Sequence, residues 1–247
     1  MKYFFDTQET IPEGMGFGQF TLSHICWILA MLAFIAASVF VYRRLDPARR
    51  KKMQTLYAVL IVANEVVKTV ALLIGGNYLA KYLPVHLCSI NIFVVAFHAW
   101  KPLKAVGNYL YLVCIPAALI PLFTPTWAML PNVNLMAWHS FTVHAFLVAY
   151  PLMLTVGGDI RPRLKTDPAS LCVLTLLAGV ALVVNLALDT NFMFLMYPEP
   201  GTPFVLFEEL MGSYLFCFVV LVPIVVAIMM LPILLLDRRV KRRAAKI

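Results

Sequence analysis

The sequence predicts an all-α membrane protein that crosses the bilayer seven times, with its N-terminus outside and its C-terminus in the cytoplasm. Of its 247 residues, 62% are hydrophobic and 13% are charged, which leaves too little polar surface to coat a water-soluble domain. Apolar stretches of about 20 residues, the length that crosses a bilayer as a helix, follow one another from residue 20 to residue 236. Basic residues are concentrated in alternate connections between these stretches.

The elements follow from the apolar windows and the segments that separate them. The stretch before the first span is net acidic and is followed by no small-residue cleavage site, so the span is predicted to be retained as a helix. The separators, in chain order, contain RRLDPARRKK, GGNY, WKPLK, PTWAMLPN, GGDIRPRLKTDP and YPEPGTP. Continuous spans of this length favour helices over barrel strands. The predicted spans are residues 20–42, 55–74, 82–100, 107–125, 135–156, 170–189 and 212–236.

Charge sets the predicted orientation and domain limits. The first, third and fifth connections and the C-terminal tail hold 17 of the 20 Lys and Arg residues, and positive residues mark the cytoplasmic side. We therefore expect a short extracytoplasmic N-terminus (1–19), a transmembrane domain (20–236) and a basic cytoplasmic tail (237–247). The same distribution favours contact with anionic membrane lipid over nucleic acid, and a multi-pass protein of the plasma membrane.

The sequence contains no motif for a cofactor or a metal. The five cysteines lie one each in five apolar segments, which is neither a disulfide framework nor a zinc motif. Nothing resembles a phosphate loop, a dinucleotide fingerprint or a haem attachment site. We therefore expect no cofactor and no metal, and no recognisable motif specifies the oligomeric state.

Polar residues inside the spans are the candidates for function, because ionisable groups are costly in hydrocarbon. Glu65 and Lys68 are three residues apart, so they can pair on one helix face. His139 and His144 are five residues apart, about 140° around a helix, and cannot bind one metal from a single face. The predicted topology places most candidates in the outer half of the membrane. The candidate catalytic residues are His139, His86 and Cys88, and the candidate substrate-binding residues are Glu65, Lys68, Asn91, His144, Asn185, Asp189 and Asn191.

Three segments carry a resemblance to a known family: LPVHLCSINIF (83–93), WHSFTVHAF (138–146) and NFMFL (191–195). At these segments the chain resembles the YwaF-like bacterial integral membrane proteins, a family similar to eukaryotic transmembrane protein 164. The resemblance implies a membrane acyltransferase or hydrolase acting on phospholipid acyl chains. It matches Pro84 and His86 to the Pro-x-His segment of the family and His139 to its fifth-span histidine. The position of the proposed eukaryotic cysteine nucleophile is Val85 in this chain.

Three functions remain open from the sequence. The first is a lipid-directed acyltransferase or hydrolase with a phospholipid substrate, in which Cys88 or another group is the nucleophile and His139 or His86 is the base. The second is a transporter or permease for a small polar or cationic solute, in which a midplane cavity is lined by Glu65, Lys68, Asn185 and the histidines of the spans. The third is a non-catalytic scaffold or sensor whose polar residues only hold helices together.

Overall fold

The computed structural model describes residues 2–163, 167–198 and 203–244, and these residues form helices and loops without strands. Seven helical spans of the described residues are long and apolar enough to cross a membrane, which confirms the predicted fold class. The α-helices are α1 (Leu22–Arg44), α2 (Pro47–Ile74), α3 (Leu87–Trp100), α4 (Lys104–Tyr109), α5 (Ile115–Phe123), α6 (Leu135–Gly157), α7 (Asp167–Leu188), α8 (Pro203–Met211) and α9 (Leu215–Ala244).

The helix ends differ from the predicted spans where local chemistry extends or divides a helix. Helix α2 begins eight residues before the apolar window, because Asp46 accepts a hydrogen bond from Arg49 N and Pro47 suits the first helical turn. The fourth span is composite: α4 and α5 are joined by a π-helical turn, Leu110–Cys114. Proline at the start of α5 cannot donate to the helix ladder, and such an interruption accompanies the wider turn.

Two features of the C-terminal region were not predicted. Helix α8 lies within the connection between the sixth and seventh spans, where the prolines and glycine of YPEPGTP indicated only a loop. Helix α9 continues to Ala244, so its backbone carries the basic segment beyond the predicted span. The apolar window ends near residue 236 because lipid no longer selects the side chains, although helical hydrogen bonding continues.

Helix α6 lies at the centre of the bundle. It packs against α1, α2, α3 and α5, and its Phe141, Leu147 and Tyr150 are fully buried. Gly157 allows α1 to approach, since a Cβ at that position would lie 2.7 Å from a ring carbon of Tyr42. Helices α7 and α9 are the most exposed spans and lie at the periphery. The centre of the bundle is therefore the place where polar side chains are most shielded from lipid.

The bundle has two distinct ends. The basic end contains the α1–α2, α3–α4 and α6–α7 connections, where Arg50 donates to Gly157 O at 2.9 Å and pairs with Asp159 at 3.3 Å. The N-terminal end contains residues 2–21, the α2–α3 loop and the α5–α6 loop. These names describe the structure alone; the outside location of the N-terminus stays a prediction.

Residues 2–21 form a folded N-terminal cap on that end of the bundle. Asn134 donates to Tyr3 O and Asp6 O, both at 2.8 Å, and Leu135 N donates to Phe4 O at 2.8 Å. These bonds tie the cap to the first turn of α6. The predicted extracytoplasmic terminus is thus part of the packed structure.

His24, at the start of α1, joins the cap to α5. Phe20 N donates to His24 Nδ1 at 3.0 Å, so Nε2 carries the proton and donates to Leu122 O at 2.9 Å. Its side chain is fully buried. Both ring nitrogens are occupied, which gives His24 a structural role.

Candidate functional site

Three ionisable side chains meet between α2 and α6, and we call Glu65, Lys68 and His139 the Glu65 cluster. Lys68 Nζ donates to Glu65 Oε1 at 2.5 Å, and His139 Nε2 lies 2.9 Å from Glu65 Oε2. The three side chains are buried, with 4%, 6% and 9% of their surfaces exposed. One carboxylate thus holds one basic group on each of its oxygens.

The Glu65 cluster follows from helix geometry on both sides. Glu65 and Lys68 lie on the buried face of α2 together with Ile61 and Leu72, at spacings of three and four residues. That face contacts α6, where His139 lies in the second turn. An unpaired charge at this position would be strongly unfavourable, so mutual pairing is the condition for burying all three groups.

The hydrogen bond to Glu65 defines the chemistry available to His139. A carboxylate accepts hydrogen bonds, so His139 Nε2 carries the proton. In the neutral imidazole Nδ1 is then a lone-pair acceptor. A carboxylate that fixes one ring nitrogen in this way orients the histidine as a general base.

A second pair of polar residues fixes α2 against α6 beside the Glu65 cluster. Asn64 Nδ2 donates to Thr142 Oγ1 at 2.7 Å, and Thr142 Oγ1 donates to Trp138 O at 2.7 Å. This chain of bonds sets the register of the two helices, as interhelical amide and hydroxyl contacts do in membranes. Thr142 was not a candidate, because its partner depends on how α6 is rotated.

His86 lies at the start of α3, near the Glu65 cluster. It occupies the position before the first helical residue, and its ring makes edge-to-face contact with Phe192 at 5.0 Å between centroids. Lys68 is within electrostatic reach of His86. Tyr78, in the α2–α3 loop, is also near: burial and then the charge of Glu65 raise its pKa above 10.0. Tyr78 was not a candidate, because it lies outside every predicted span.

Cys88 has a partner other than the histidines. Its Sγ lies 3.6 Å from Ala117 O as a donor, within the criterion for sulfur. The carbonyl of Ala117 has no helical partner because residue 121, four positions later, is a proline without an N–H. The thiol thus satisfies a carbonyl that Pro121 leaves free.

Cys114, in the π-helical turn, makes the same kind of contact with a carbonyl of α6. Its Sγ lies 3.5 Å from Leu147 O, and residue 151, four positions after Leu147, is again a proline. In each case a thiol donates to a carbonyl that a proline leaves free. Small apolar residues with a weak S–H donor suit such a contact.

Asn91 and His144 form hydrogen bonds with residues outside the Glu65 cluster. Asn91 is fully buried; its Oδ1 accepts from Tyr109 Oη at 2.7 Å, and its Nδ2 has no partner among the described residues. His144 Nδ1 donates to Ser140 O at 2.6 Å, and its ring stacks on Trp127 at 5.0 Å. Of the two histidines in α6, His139 therefore belongs to the Glu65 cluster, whereas His144 packs against Trp127 in the α5–α6 loop.

The remaining candidates shape the turn after α7. Asn185 Oδ1 accepts from Phe192 N at 2.7 Å, and Asn191 Oδ1 accepts from Met196 N at 3.0 Å. Asp189 is exposed and has a positive φ of 50°. The turn supports Phe192, which contacts His86. These residues therefore reach the Glu65 cluster only through Phe192 and His86 and are not in contact with it in the described contacts.

The N-terminal cap is anchored to the α2–α3 loop by one carboxylate. Glu9 forms an ion pair with Lys81 and accepts a hydrogen bond from Tyr82 Oη at 2.5 Å. Burial would raise the pKa of Glu9, but the bonds from Lys81 and Tyr82 outweigh it and hold that pKa below its usual 4.5. The cap also reaches the site from the α6 side, where Phe4 contacts Trp138, the residue before His139.

Within the described parts of the chain, no three His, Cys, Asp or Glu side chains are grouped so as to hold a metal ion. The arrangement that remains is an organic acid–base site: a carboxylate, an ammonium and an imidazole in contact, with a second histidine nearby. Such a site can accept, hold and return a proton.

Comparison with known proteins gives the family. Searches of curated proteins and of solved structures returned no match. The TMEM164 family model matches residues 19–232, which includes the first six spans, the seventh as far as residue 232, and all three residues of the Glu65 cluster. The match agrees with the resemblance seen at residues 83–93, 138–146 and 191–195. The chain is therefore a multi-pass membrane protein that belongs to the TMEM164 family.

Proposed function

We propose that this protein is a membrane enzyme that hydrolyses or transfers the acyl chain of a lipid ester, with His139 as its general base. The observation that carries the proposal is the 2.9 Å contact between His139 Nε2 and the buried carboxylate of Glu65. A carboxylate in this position holds the ring in one tautomer and stabilises the imidazolium that forms when Nδ1 takes a proton. The resemblance to lipid-directed acyltransferases favours an acyl ester as the substrate.

The reaction needs no covalent intermediate on the protein. His139 Nδ1 takes a proton from an acceptor hydroxyl, which is water in hydrolysis or a lysolipid hydroxyl in transfer. The acceptor oxygen attacks the acyl carbonyl carbon and forms a tetrahedral intermediate. The ester C–O bond then breaks, and His139 returns the proton to the departing lipid alkoxide. General base catalysis of this kind contributes about 10²–10⁴ in rate.

Lys68 and His86 complete the proposed site. Lys68 binds the second oxygen of Glu65, so the carboxylate stays ionised opposite His139. His86 is the nearby N–H donor that we assign to the carbonyl oxygen of the substrate, where negative charge develops in the tetrahedral intermediate. Tyr78, in the α2–α3 loop, lies within electrostatic reach of Glu65.

Cys88 has no part in this mechanism. Its thiol proton is held in a hydrogen bond to Ala117 O, whereas a nucleophile requires the thiolate. Val85, at the position where the resemblance places the eukaryotic cysteine, has no nucleophilic group. The acceptor hydroxyl itself is therefore the nucleophile in our proposal.

The position of the Glu65 cluster suggests which leaflet supplies the substrate. At 1.5 Å per residue, Glu65 lies about 14 Å from the end of α2 and His139 about 6 Å from the start of α6. Both distances are measured from the N-terminal end of the bundle. With the N-terminus outside the plasma membrane, as the positive-inside rule predicts, the substrate would come from the outer leaflet.

The test uses purified protein in vesicles that contain phosphatidylcholine with a labelled acyl chain and an unlabelled lysolipid. Mass spectrometry measures labelled fatty acid and newly labelled phospholipid. We expect His139→Gln to lower turnover at least about 100-fold, the smaller end of general base catalysis. His98→Gln is the matched control, since His98 is also buried but contacts Tyr150, near the basic end.

Cys88→Ser separates this mechanism from a cysteine mechanism. Serine keeps a donor for Ala117 O, so we expect turnover to continue, as it should in Cys114→Ser. A loss confined to Cys88→Ser would refute the assignment of the nucleophile. Absence of both products with the unaltered protein would refute the enzymatic function.

Transport of a small solute coupled to protons is the second candidate. It is favoured by the contact of three titratable groups within the membrane, a feature of proton relays in transporters. In vesicles with an imposed pH gradient, we expect Glu65→Gln to abolish solute-dependent proton flux. Equal flux in the variant and the unaltered protein, across a panel of polar and cationic solutes, would eliminate this candidate.

A further inference from the structure

A groove runs between α2 and α3 from the basic end of the bundle as far as Ala63, two positions before Glu65 in the chain. Its volume is about 580 Å³. Thr55, Val59 and Val62 line one side and Ala96 and Ala99 the other, so the walls are apolar or small. The spacing of four and three residues along α2 keeps one continuous helix face in the groove.

The mouth of the groove carries an ammonium group and an interfacial aromatic ring. Lys51 lies in the second turn of α2, and its Nζ donates to Ala99 O near the end of α3. That contact uses one of the three N–H donors of the ammonium group. Trp100, which is 78% exposed, lies beside it, as tryptophan does at the boundary between hydrocarbon and water.

The length of the groove matches one leaflet. From Lys51 to Ala63 is twelve residues, or about 18 Å along α2 at 1.5 Å per residue. Half of a hydrocarbon core of about 30 Å is about 15 Å. A lipid with its phosphate at Lys51 would thus have room for an acyl chain along the groove.

We propose that this groove is a binding site for an anionic phospholipid, with one acyl chain between α2 and α3 and the headgroup phosphate on Lys51. Charge complementarity selects the occupant: the mouth is cationic, and two further exposed lysines follow Trp100, Lys101 after the end of α3 and Lys104 at the start of α4. Basic pockets between helices on the cytoplasmic side bind anionic headgroups. The proposal does not rest on the proposed enzymatic function, and the headgroup position at Lys51 is separated from Glu65 by fourteen residues, or about 21 Å along α2.

Trp100 supplies a direct probe. The other three tryptophans, Trp27, Trp127 and Trp138, contact one another or Phe141 at the N-terminal end. The full chain is placed in phosphatidylcholine vesicles that contain a small fraction of brominated phosphatidylglycerol or brominated phosphatidylcholine. The difference in quenching between the unaltered protein and Trp100→Phe isolates the signal of Trp100.

We expect brominated phosphatidylglycerol to quench Trp100 at about one fifth of the concentration that brominated phosphatidylcholine needs, the selectivity that one basic residue provides at a membrane surface. Lys51→Gln should abolish this fivefold preference, whereas Lys52→Gln, the matched control at an exposed position that does not line the groove, should retain it. Ala63→Phe, at an exposed groove position, should weaken quenching by both lipids.

Three results would overturn the proposal. Equal quenching by the two lipids would show that the groove does not select anionic headgroups. A preference that survives Lys51→Gln would assign the selectivity to the general basic surface. If neither lipid quenches Trp100 and the protein forms a dimer whose interface contains Trp100, a second copy of the chain fills the groove.

Discussion

The pairing of Glu65 with Lys68 predicts a large and non-additive effect on stability when either charge is removed. The exposed fractions of the two side chains are 4% and 6%, so solvent does not screen the pair and the small values of surface ion pairs do not apply. Glu65→Gln leaves the Lys68 ammonium buried without its counter-charge. We expect the free energy of unfolding to fall by about 3–5 kcal/mol.

The complementary variant should cost less. Lys68→Met leaves Glu65 bonded to His139, which can take up a proton, so we expect a loss of about 1–3 kcal/mol. The double variant Glu65→Gln/Lys68→Met removes both charges and should unfold within about 1 kcal/mol of the unaltered protein. The coupling free energy in this cycle would then be at least about 3 kcal/mol.

Equilibrium unfolding in mixed micelles, with dodecyl sulfate as denaturant and tryptophan fluorescence as the signal, measures all four proteins. Lys52→Met, an exposed position on α2, is the matched control and should lie within about 0.5 kcal/mol of the unaltered protein. Single variants that each cost less than about 1 kcal/mol would refute the reasoning, because they would show that water reaches the pair.

The N-terminal cap yields two further predictions, both read by hydrogen exchange of residues 2–21. Gly16→Ala places a Cβ 2.3 Å from Ala128 O, and such overpacking against backbone should cost about 1–3 kcal/mol and speed exchange throughout the cap. The pKa of Glu9 is lowered from 4.5, so its contacts with Lys81 and Tyr82 stabilise the cap above about pH 4.5 and are lost as the pH falls through the lowered pKa. Exchange, corrected for its intrinsic pH dependence, should therefore rise on acidification below about pH 4.5 and stay constant between about pH 5 and 8.

Controls separate these two effects. Gly14→Ala is the matched substitution for Gly16, since nothing lies within 4 Å of the added Cβ, although its φ of +78° carries its own backbone strain. Glu9→Gln should remove the acid response of the cap. An unchanged exchange rate in Gly16→Ala, or an acid response that persists in Glu9→Gln, would contradict the contacts described for residues 2–21.

The seven spans were predictable because lipid imposes one rule along the whole chain. Each crossing needs about 20 apolar residues, and that requirement is visible in composition without any tertiary contact. The pairing of Glu65 with Lys68 was predictable for a related reason: helical spacing alone brings residues i and i+3 together. Helix α8 escaped prediction because it lies in a connection, where no such rule acts on the sequence.

The third member of the Glu65 cluster, His139, could not be predicted, because its position depends on how α6 is rotated about its own axis. The sequence separates His139 from His144 by about 140°, but either could have faced α2. Packing of α6 against α1, α2, α3 and α5 at once decided the matter, and it placed His144 against Trp127 instead. The rotation of a central helix depends on all the helices that pack against it, so it cannot be predicted from the sequence of that helix alone.

The contact of Cys88 shows most clearly which features follow from the sequence and which depend on the tertiary structure. The sequence alone determined that Pro121 must leave the carbonyl of Ala117 without a helical partner, because proline has no N–H. Only the tertiary structure decided that a thiol from α3 supplies the missing donor. What the sequence by itself determined is therefore local: span length, spacing along one helix and the backbone groups that need partners. The tertiary structure decided which side chains from other helices meet those needs, because that depends on distances between segments far apart in the chain.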